Sequence, residues 1–236
     1  MEWRERDGVR WLEADLGGAR AAFSTRIGGV SEPPFDELNL GSLTDDEPEA
    51  VTENRRRLAE ALGRDPEQIV FALQVHGARL IHHPCEEELP EADGHVVTAP
   101  GPAPMVLAAD CLPVALYGRG GLAMAHAGWR GLAGGILGAA AAAVGATSAA
   151  IGPAIGPCCY EVGQEVLDAF ADLGDGIAQG RMLDLPEVAR RRLAAAGVER
   201  VESAGLCTSC EPELFFSHRR DHGRTGRQAG IAWLEG

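Results

Sequence analysis

The sequence contains no lysine, so all 21 basic residues of the 236-residue chain are arginine. The lack of a side-chain amine excludes Schiff-base catalysis, attachment of pyridoxal phosphate and phosphate binding by a P-loop lysine. A phosphate-sized anion must therefore be held by arginine side chains or by backbone N–H groups.

The chain also lacks an excess of positive charge and any long apolar segment. Its formal net charge of −14 disfavours binding to nucleic acid or to an anionic membrane, because both would repel it. No stretch approaches the roughly 18 consecutive apolar residues of a transmembrane helix. The first residues, MEWRERDGVRWLEAD, do not resemble a signal peptide. We therefore expect a cytoplasmic protein that binds neither nucleic acid nor membrane.

Apolar residues make up 45% of the chain, which is enough to bury a sizeable core without disulfides. Short apolar runs predict strands at 69–73, 79–83, 95–98, 105–110, 113–117, 122–127 and 149–153. Periodicity and capping residues predict helices at 48–62, 131–145, 163–173 and 186–196, with Asp184 and Pro186 marking the start of the last. Strands and helices do not alternate regularly, which indicates an α+β fold of mixed β-sheets flanked by helices, in a single compact domain over 1–236.

Three short motifs each place one potential metal ligand at the end of a predicted strand. They are QVHG at 74–77, ADCLP at 109–113 and AHAGWRG at 125–131. Their His76, Cys111 and His126 are ligand types that zinc prefers, and three protein ligands leave a fourth position open, as in catalytic zinc sites. The spacing fits no zinc finger, so buried core histidines and a buried free cysteine remain the alternative interpretation.

The residues around His126 carry further expectations. If His126 is a ligand, its second ring nitrogen should donate a hydrogen bond to a backbone carbonyl or a carboxylate. We expect Gly128 to permit a sharp backbone turn, Trp129 to form an apolar wall, and Arg130 to point toward an anion beside the metal.

Two other features are interpreted as structural. The acidic stretch CEEELPEAD (85–93) is predicted to be a solvated loop without a functional role. The tandem Cys158 and Cys159 and the CTSC pair of Cys207 and Cys210 would need to combine to form a structural zinc site or a redox centre. Because the tandem pair lacks the usual gap between ligands, such a joint site is disfavoured. We interpret Cys158 and Cys159 as small packed residues at a tight corner; the alternative is that N–H groups at the start of the following helix bind an anion or lower a thiol pKa.

Six segments occur in an order that is typical of one protein family. They are FSTRIGGVSEPPFDELNLG (23–41), QVHG, ADCLPV, HAGWRG, IGPAIGPCCYEVG (151–163) and FFSHRRDHGRTGRQA (215–229). Together they resemble the bacterial YfiH family, also called the laccase-domain or multicopper polyphenol oxidase family, which includes proteins named peptidoglycan editing factor and purine nucleoside phosphorylase. The resemblance runs from Phe23 to Leu234. The chain departs from the family at His218, where tyrosine is expected, and at His222, where a small residue is usual; we interpret both as exposed loop histidines.

The resemblance implies a YfiH-like fold and a zinc ion held by His76, Cys111 and His126. It also implies activity on purine nucleosides: phosphorolysis of adenosine, inosine, guanosine and S-methyl-5′-thioadenosine, and hydrolytic deamination of adenosine. The expected partners are therefore purine nucleosides and phosphate, and we expect a monomer.

Several polar residues in the same motifs are candidates for substrate binding. Because lysine is absent, Arg26 of STRIGG and Arg130 beside His126 are the candidates for holding phosphate, although both could equally serve as structural ion-pair partners. Glycosidic cleavage also needs a hydrogen bond or a proton for the leaving purine, and Asn39, Gln74 and Asp110 are the candidates for this task.

Two alternatives remain open. In the first, Cys111 is a nucleophile with His126 as its base, and the protein is a metal-free cysteine hydrolase that edits peptidoglycan precursors. In the second, the site binds copper and oxidises polyphenols. The second is less favoured, because seven histidines in all make a multi-copper cluster hard to build.

Overall fold

Twelve of the fourteen strands lie in two six-stranded mixed sheets in the computed structural model, which describes all 236 residues. The first sheet has the spatial order β1 (Glu2–Arg6), β2 (Val9–Asp15), β3 (Ala19–Ser24), β14 (Gln228–Leu234), β7 (Ala103–Ala108) and β4 (Ile69–Val70). Its strands pair antiparallel except β4 and β7, which are parallel. The first and last parts of the chain therefore meet in one sheet.

The second sheet has the spatial order β13 (Arg200–Ser203), β10 (Ala146–Ile151), β8 (Leu112–Gly118), β9 (Gly121–Ala127), β6 (Gly94–Val97) and β5 (Leu80–His83). Its four inner strands pair antiparallel, and the two edge strands pair parallel to their neighbours. The remaining two strands, β11 (Ala178–Gln179) and β12 (Met182–Leu183), form a small ribbon.

Five α-helices flank the sheets. They are α1 (Pro48–Ala61), α2 (Trp129–Ala133), α3 (Ile136–Val144), α4 (Gln164–Asp168) and α5 (Leu185–Ala195), with single 3-10 turns at Pro66–Gln68 and Ala171–Leu173. Asp184 begins α5 as predicted, because its side chain accepts a hydrogen bond from the backbone N–H of Glu187. None of these helices has the length and apolar character that crossing a bilayer requires.

The core has three parts because each sheet buries both faces. Phe23, Val106 and Met124 belong to the cluster between the two sheets. The outer face of the second sheet packs against α3 and α5, and the outer face of the first sheet packs against α1. β9 is consequently buried at all seven of its residues, which explains why its sequence is a continuous apolar run rather than an alternating one. The predicted α+β arrangement of mixed sheets flanked by helices is confirmed.

Several predicted boundaries were wrong. The helix expected at 131–145 is divided into α2 and α3, because Gly135 adopts a φ of +86° that an α-helix does not allow. The helix expected at 163–173 ends at Asp168 and continues only as a 3-10 turn. The strand expected at 69–73 has just two residues, and the strands at both ends of the chain were not predicted. β1 is exposed at every position, so it has no apolar pattern to detect.

The hairpin of β8 and β9 is the element that positions the candidate site. Its register pairs Gly118 with Gly121 at the turn and Leu112 with Ala127 at the open end. A slip of one residue would move every side chain to the opposite face. The turn therefore determines which residues meet at the open end of the hairpin.

We predict that Gly121→Ala destabilises the fold more than Gly101→Ala. The two glycines have similar φ values of +124° and +127°, but a methyl group at Gly121 would overlap the carbonyl oxygen of Val97, whereas Gly101 has open space. Backbone strain costs each variant about 1–3 kcal/mol. The overlap adds about 1–3 kcal/mol to the Gly121 variant. Urea unfolding measures both, and equal destabilisation would contradict the close approach at Gly121.

Candidate metal centre

Two of the three predicted ligands meet at the open end of the hairpin. Cys111 immediately precedes β8, and His126 is the penultimate residue of β9, where it is paired with Pro113. Both strands are buried in the middle of the second sheet. The backbones that carry Cys111 and His126 are therefore rigidly placed relative to each other.

The third ligand, His76, reaches the site from the loop between β4 and β5. It has a φ of +60°, a left-handed conformation that histidine adopts more readily than most residues. Its ring centroid lies 4.9 Å from that of His126, with the ring planes at 82°. The ligand atoms of His76, Cys111 and His126 all lie within 4.8 Å of one another. The structure thus brings the three predicted ligands together.

A buried carboxylate, Asp93, holds two of these histidines in position. It is fully buried and accepts a hydrogen bond from His126 Nδ1 at 2.8 Å. It also accepts from the backbone N–H groups of Val75, His76 and Gly77 at 3.1, 3.0 and 2.7 Å. One carboxylate therefore shapes the QVHG loop and orients the His126 ring.

The contacts of Asp93 confirm one expectation and correct another. The second ring nitrogen of His126 does bond to a carboxylate, which leaves Nε2 free to face the other ligands. The acidic stretch 85–93, however, was expected to be a solvated loop without a functional role. Glu86 to Leu89 are exposed, but Asp93 is not, because four donors converge on its two oxygens.

The charges of Cys111 and His126 stabilise each other. Burial acts to raise the pKa of Cys111, but the attraction of His126 and hydrogen bonds with both histidines hold it at about 6. Burial acts to lower the pKa of His126, yet the Cys111 thiolate and the Asp93 carboxylate raise it to about 9. The two histidines therefore favour the thiolate form of Cys111, which is the form that binds a metal.

Gly128 has a different role from the one expected. Its φ of −73° and ψ of 170° are open to any residue, so it is not required for a sharp turn. A Cβ at this position would lie 3.0 Å from Cys111 Sγ and 3.4 Å from His76 Cδ2. Glycine is needed because the ligands occupy the space that a side chain would fill.

The donor set fits a metal ion. Two imidazoles and one thiolate with mutually close ligand atoms match a three-ligand zinc site. His76 is on the exposed side of the cluster, whereas His126 is only 2% exposed. The fourth coordination position would therefore face solvent, where a substrate can reach it.

Arg130 and Trp129 lie next to this cluster. Trp129 is half-buried and packs against the core of the second sheet. The Arg130 guanidinium is exposed and lies 4.5 Å from the centroid of the Trp129 ring. Arg130 is thus supported by a cation–π contact while its N–H groups face solvent.

Arg26 and Asn39 already have partners within the protein. Arg26 donates to the Asp36 carbonyl, forms an ion pair with the Asp36 carboxylate at 3.1 Å and stacks on Phe216. Asn39 is fully buried and donates to Thr44 and Asp46. Its carbonyl oxygen accepts from the backbone of Gly41 and Arg227.

Gln74 and Asp110 likewise connect segments of the site. Gln74 exchanges two hydrogen bonds with the backbone of Leu107, at 2.8 and 2.7 Å. The Asp110 carboxylate accepts from the Thr208 hydroxyl and from the backbone N–H of Arg219, both at 2.7 Å. The substrate-binding roles suggested for Arg26, Asn39, Gln74 and Asp110 stay predictions, whereas their contacts within the protein are visible.

Three further residues near Cys111 were not singled out from the sequence. Burial raises the pKa of Tyr160 to about 12, and the Cys111 charge adds to this, so its phenol stays neutral and can donate a hydrogen bond. Arg219 lies 5.2 Å from the centroid of the Tyr160 ring. Burial lowers the pKa of Arg227, while the nearby Cys111 and Asp110 act to raise it. All three belong to the GPCCYE and FFSHRRDHGRTGR motifs, whose family resemblance was the available signal.

The two family departures lie in the same segment. His218 and His222 are both exposed, as expected for loop histidines. His222 has a φ of +51°, which is consistent with a position where a small residue is usual.

An α+β fold of two mixed sheets, with two imidazoles and a thiol gathered at a hairpin end, defines a domain with a candidate metal centre. The family model described as multi-copper polyphenol oxidoreductase laccase matches residues 20–235. The chain therefore belongs to this family, as its motifs predicted.

Relatives and solved structures agree with this assignment. A Pseudomonas aeruginosa protein is 43% identical over 95% of this chain and 98% of its own length, and Escherichia coli YfiH is 43% identical over 92% and 94%. Both are named purine nucleoside phosphorylase. The crystal structure of YlmD from Geobacillus stearothermophilus superposes with a TM-score of 0.88 at 36% identity, covering 99% of this chain and 98% of that one. A Bacillus licheniformis YfiH structure gives 0.88 at 34% identity, covering 99% of both chains.

We predict that Asp93→Asn weakens zinc binding at the His76, Cys111 and His126 site on the order of 10–100-fold. An amide has one acceptor oxygen and no charge, so it cannot satisfy all four donors that Asp93 serves. Competition with a chromophoric chelator measures the dissociation constant. The matched control is Glu91→Gln, an exposed carboxylate two residues away, which should leave affinity unchanged. A folded Asp93→Asn protein with the parental affinity would contradict this role.

Proposed function

We propose that this chain is a zinc-dependent enzyme of purine nucleosides. Its reactions are phosphorolysis of adenosine, inosine, guanosine and S-methyl-5′-thioadenosine, and hydrolytic deamination of adenosine. The observation that carries the proposal is the gathering of His76, Cys111 and His126 at one accessible point. The names of relatives 43% identical to the chain support the substrate class.

The protein groups are arranged to hold the metal in one geometry. When bound, zinc supplies Lewis acidity and lowers the pKa of water, so that a nucleophile is available at neutral pH. Asp93 fixes the His126 ring, the Cys111 thiolate supplies negative charge, and Gly128 leaves room for both Cys111 and His76.

The two reactions differ in their nucleophile. In deamination, water adds to C6 of adenine, the C6–N6 bond breaks and ammonia leaves. In phosphorolysis, a phosphate oxygen forms the bond to C1′ of the ribose and the purine leaves. Only phosphorolysis requires a phosphate site.

Arg130 is the first candidate for the phosphate site. Its guanidinium is exposed beside the ligand cluster and lies over Trp129, so its donors are available to an anion. Two further arginines lie near the site. Arg219 acts to lower the pKa of the nearby Tyr160, and the charge of Cys111 acts to raise the pKa of the nearby Arg227. Arg26 remains a second candidate, although Asp36 and Pro212 already accept from its guanidinium.

The metal-free cysteine hydrolase is the second candidate function. It is favoured by the pairing of the Cys111 thiolate with a protonated His126, which is also the arrangement of a nucleophile and its base. His76 has no role in this mechanism. The presence of a second imidazole at the thiolate therefore favours the metal enzyme.

A copper-dependent polyphenol oxidase is the third candidate, and the description of the matching family favours it. Two histidines and one cysteine also suit a single copper ion. A multi-copper centre needs further histidines, but the other cluster of potential ligands consists of cysteines alone. Zinc accordingly remains the preferred metal.

We predict that Cys111→Ser and His126→Gln each remove one equivalent of zinc per chain and reduce adenosine deamination at least about 100-fold, because ligand loss removes the metal that activates water. Elemental analysis and a coupled ammonia assay provide the two measurements. Cys85→Ser is the matched control, since Cys85 lies outside both clusters of potential ligands. Parental zinc content and activity in the ligand variants would refute the metal enzyme. Parental zinc with lost activity in Cys111→Ser would favour the cysteine hydrolase.

We predict that Arg130→Met weakens phosphorolysis on the order of 10–100-fold, chiefly through the KM for phosphate, because charge-assisted hydrogen bonds contribute about 1.5–3 kcal/mol. Deamination should keep the parental rate, since it uses no phosphate. Arg119→Met is the control, an exposed arginine at the opposite end of the same hairpin. Equal loss of both reactions in Arg130→Met would indicate a structural role instead.

A further inference from the structure

Four cysteines form a second cluster that the proposed function does not use. This four-cysteine cluster consists of Cys158, Cys159, Cys207 and Cys210, whose sulphur atoms all lie within 4.8 Å of one another. The two pairs come from segments that follow β10 and β13. The sequence offered no reason to place the two pairs together, whereas in the structure they lie side by side.

The sulphur positions match a tetrahedral metal site. Cys210 Sγ lies 3.4 Å from Cys158 Sγ and 3.4 Å from Cys159 Sγ. In a tetrahedral zinc tetrathiolate, a Zn–S distance of about 2.3 Å places neighbouring sulphurs about 3.8 Å apart. A disulfide requires about 2.05 Å and involves only two sulphurs. The mutual approach of all four sulphurs is therefore better explained by a shared ligand than by one bond.

Backbone hydrogen bonds hold the two segments together. Ala154 and Cys207 form a parallel bridge, and the Thr208 N–H donates to the Ala154 carbonyl at 3.0 Å. In addition, the Gly156 N–H donates to Cys207 Sγ at 3.3 Å, and within the CTSC turn the Cys210 N–H donates to the Cys207 carbonyl at 3.1 Å. This arrangement brings the tandem pair to the CTSC turn, so the missing gap between Cys158 and Cys159 does not prevent four sulphurs from converging.

We propose that the four-cysteine cluster binds one zinc ion as a closed structural site, separate from the site of His76, Cys111 and His126. Four thiolates are soft ligands that select zinc over calcium or magnesium. Four protein ligands also complete the tetrahedral coordination, so no position remains for a substrate. This proposal does not depend on the proposed function.

The zinc ion of this cluster would stabilise the wall of the candidate active site. Thr208, next to Cys207, donates its hydroxyl to the Asp110 carboxylate, and Asp110 precedes the ligand Cys111. Tyr160 directly follows Cys159 and lies close enough to Cys111 for its charge to contribute to the raised pKa of the phenol. A metal that ties both segments together therefore fixes the loops that carry these contacts.

Metal content of the full chain, purified under reducing conditions and without added metal, tests the proposal. We expect two zinc equivalents in the parent and in Cys85→Ser, and one in Cys207→Ser and Cys210→Ser. Cys111→Ser should also retain one, bound by the four-cysteine cluster. If the cysteine-cluster variants keep the parental zinc content, the cluster binds no zinc. If only Cys111→Ser keeps the parental content, the proposed active-site metal is refuted while the four-cysteine site stands.

Thiol titration and cobalt substitution keep the test decisive if a variant fails to fold. In the folded parent, the four thiols should resist a disulfide reagent until a chelator removes zinc, and they should then react. Cobalt-substituted parent should show the intense visible bands of a tetrahedral tetrathiolate site. Thiols that react freely without a chelator would overturn the proposal. So would thiols that are missing in denaturant and return only after reduction, since that result indicates disulfides.

Discussion

The hydrogen bonds of the Asp93 carboxylate are the constraint on which the candidate site depends. Asp93 is fully buried, and its charge is neutralised by one imidazole and three backbone N–H groups. A buried carboxylate without such partners would be strongly unfavourable. The same bonds bend the QVHG loop toward β9 and orient the His126 ring. The positions of His76 and His126 therefore depend on the hydrogen bonds that stabilise the buried charge of Asp93.

The two sulphur-containing clusters are connected through Asp110. This residue carries Cys111 on its carboxyl side, and its own carboxylate binds Thr208 and the backbone of Arg219. It adopts a φ of +92°, an unusual conformation for a non-glycine residue that the surrounding bonds maintain. The proposed structural zinc site and the proposed catalytic site would thus stabilise adjacent parts of one wall. We therefore expect a substitution in either cluster to affect the other cluster.

Local patterns predicted the strands that lie at the centre of the second sheet, the α+β class and the three potential ligands. These patterns were informative because β8 and β9 are buried on both faces. The sequence of each strand is therefore a continuous apolar run flanked by a polar motif. β1 escaped prediction because it is exposed throughout. Asp93 escaped prediction because it ends an acidic stretch whose glutamates are exposed, and only its hydrogen-bond partners distinguish it.

By itself, the sequence determined the chemistry that is available: no amine side chains, two imidazoles and a thiol at strand ends, and arginine as the source of positive charge. The tertiary structure decided which of these groups meet. Through Asp93, it placed His76 beside the hairpin that carries Cys111 and His126. It paired Arg26 with Asp36 and left Arg130 exposed. It also brought together four cysteines from two turns that are distant in the sequence. The physical reason is that these contacts are long-range. Their hydrogen bonds and packing depend on how sheets and loops come together, which residue type and local spacing do not encode.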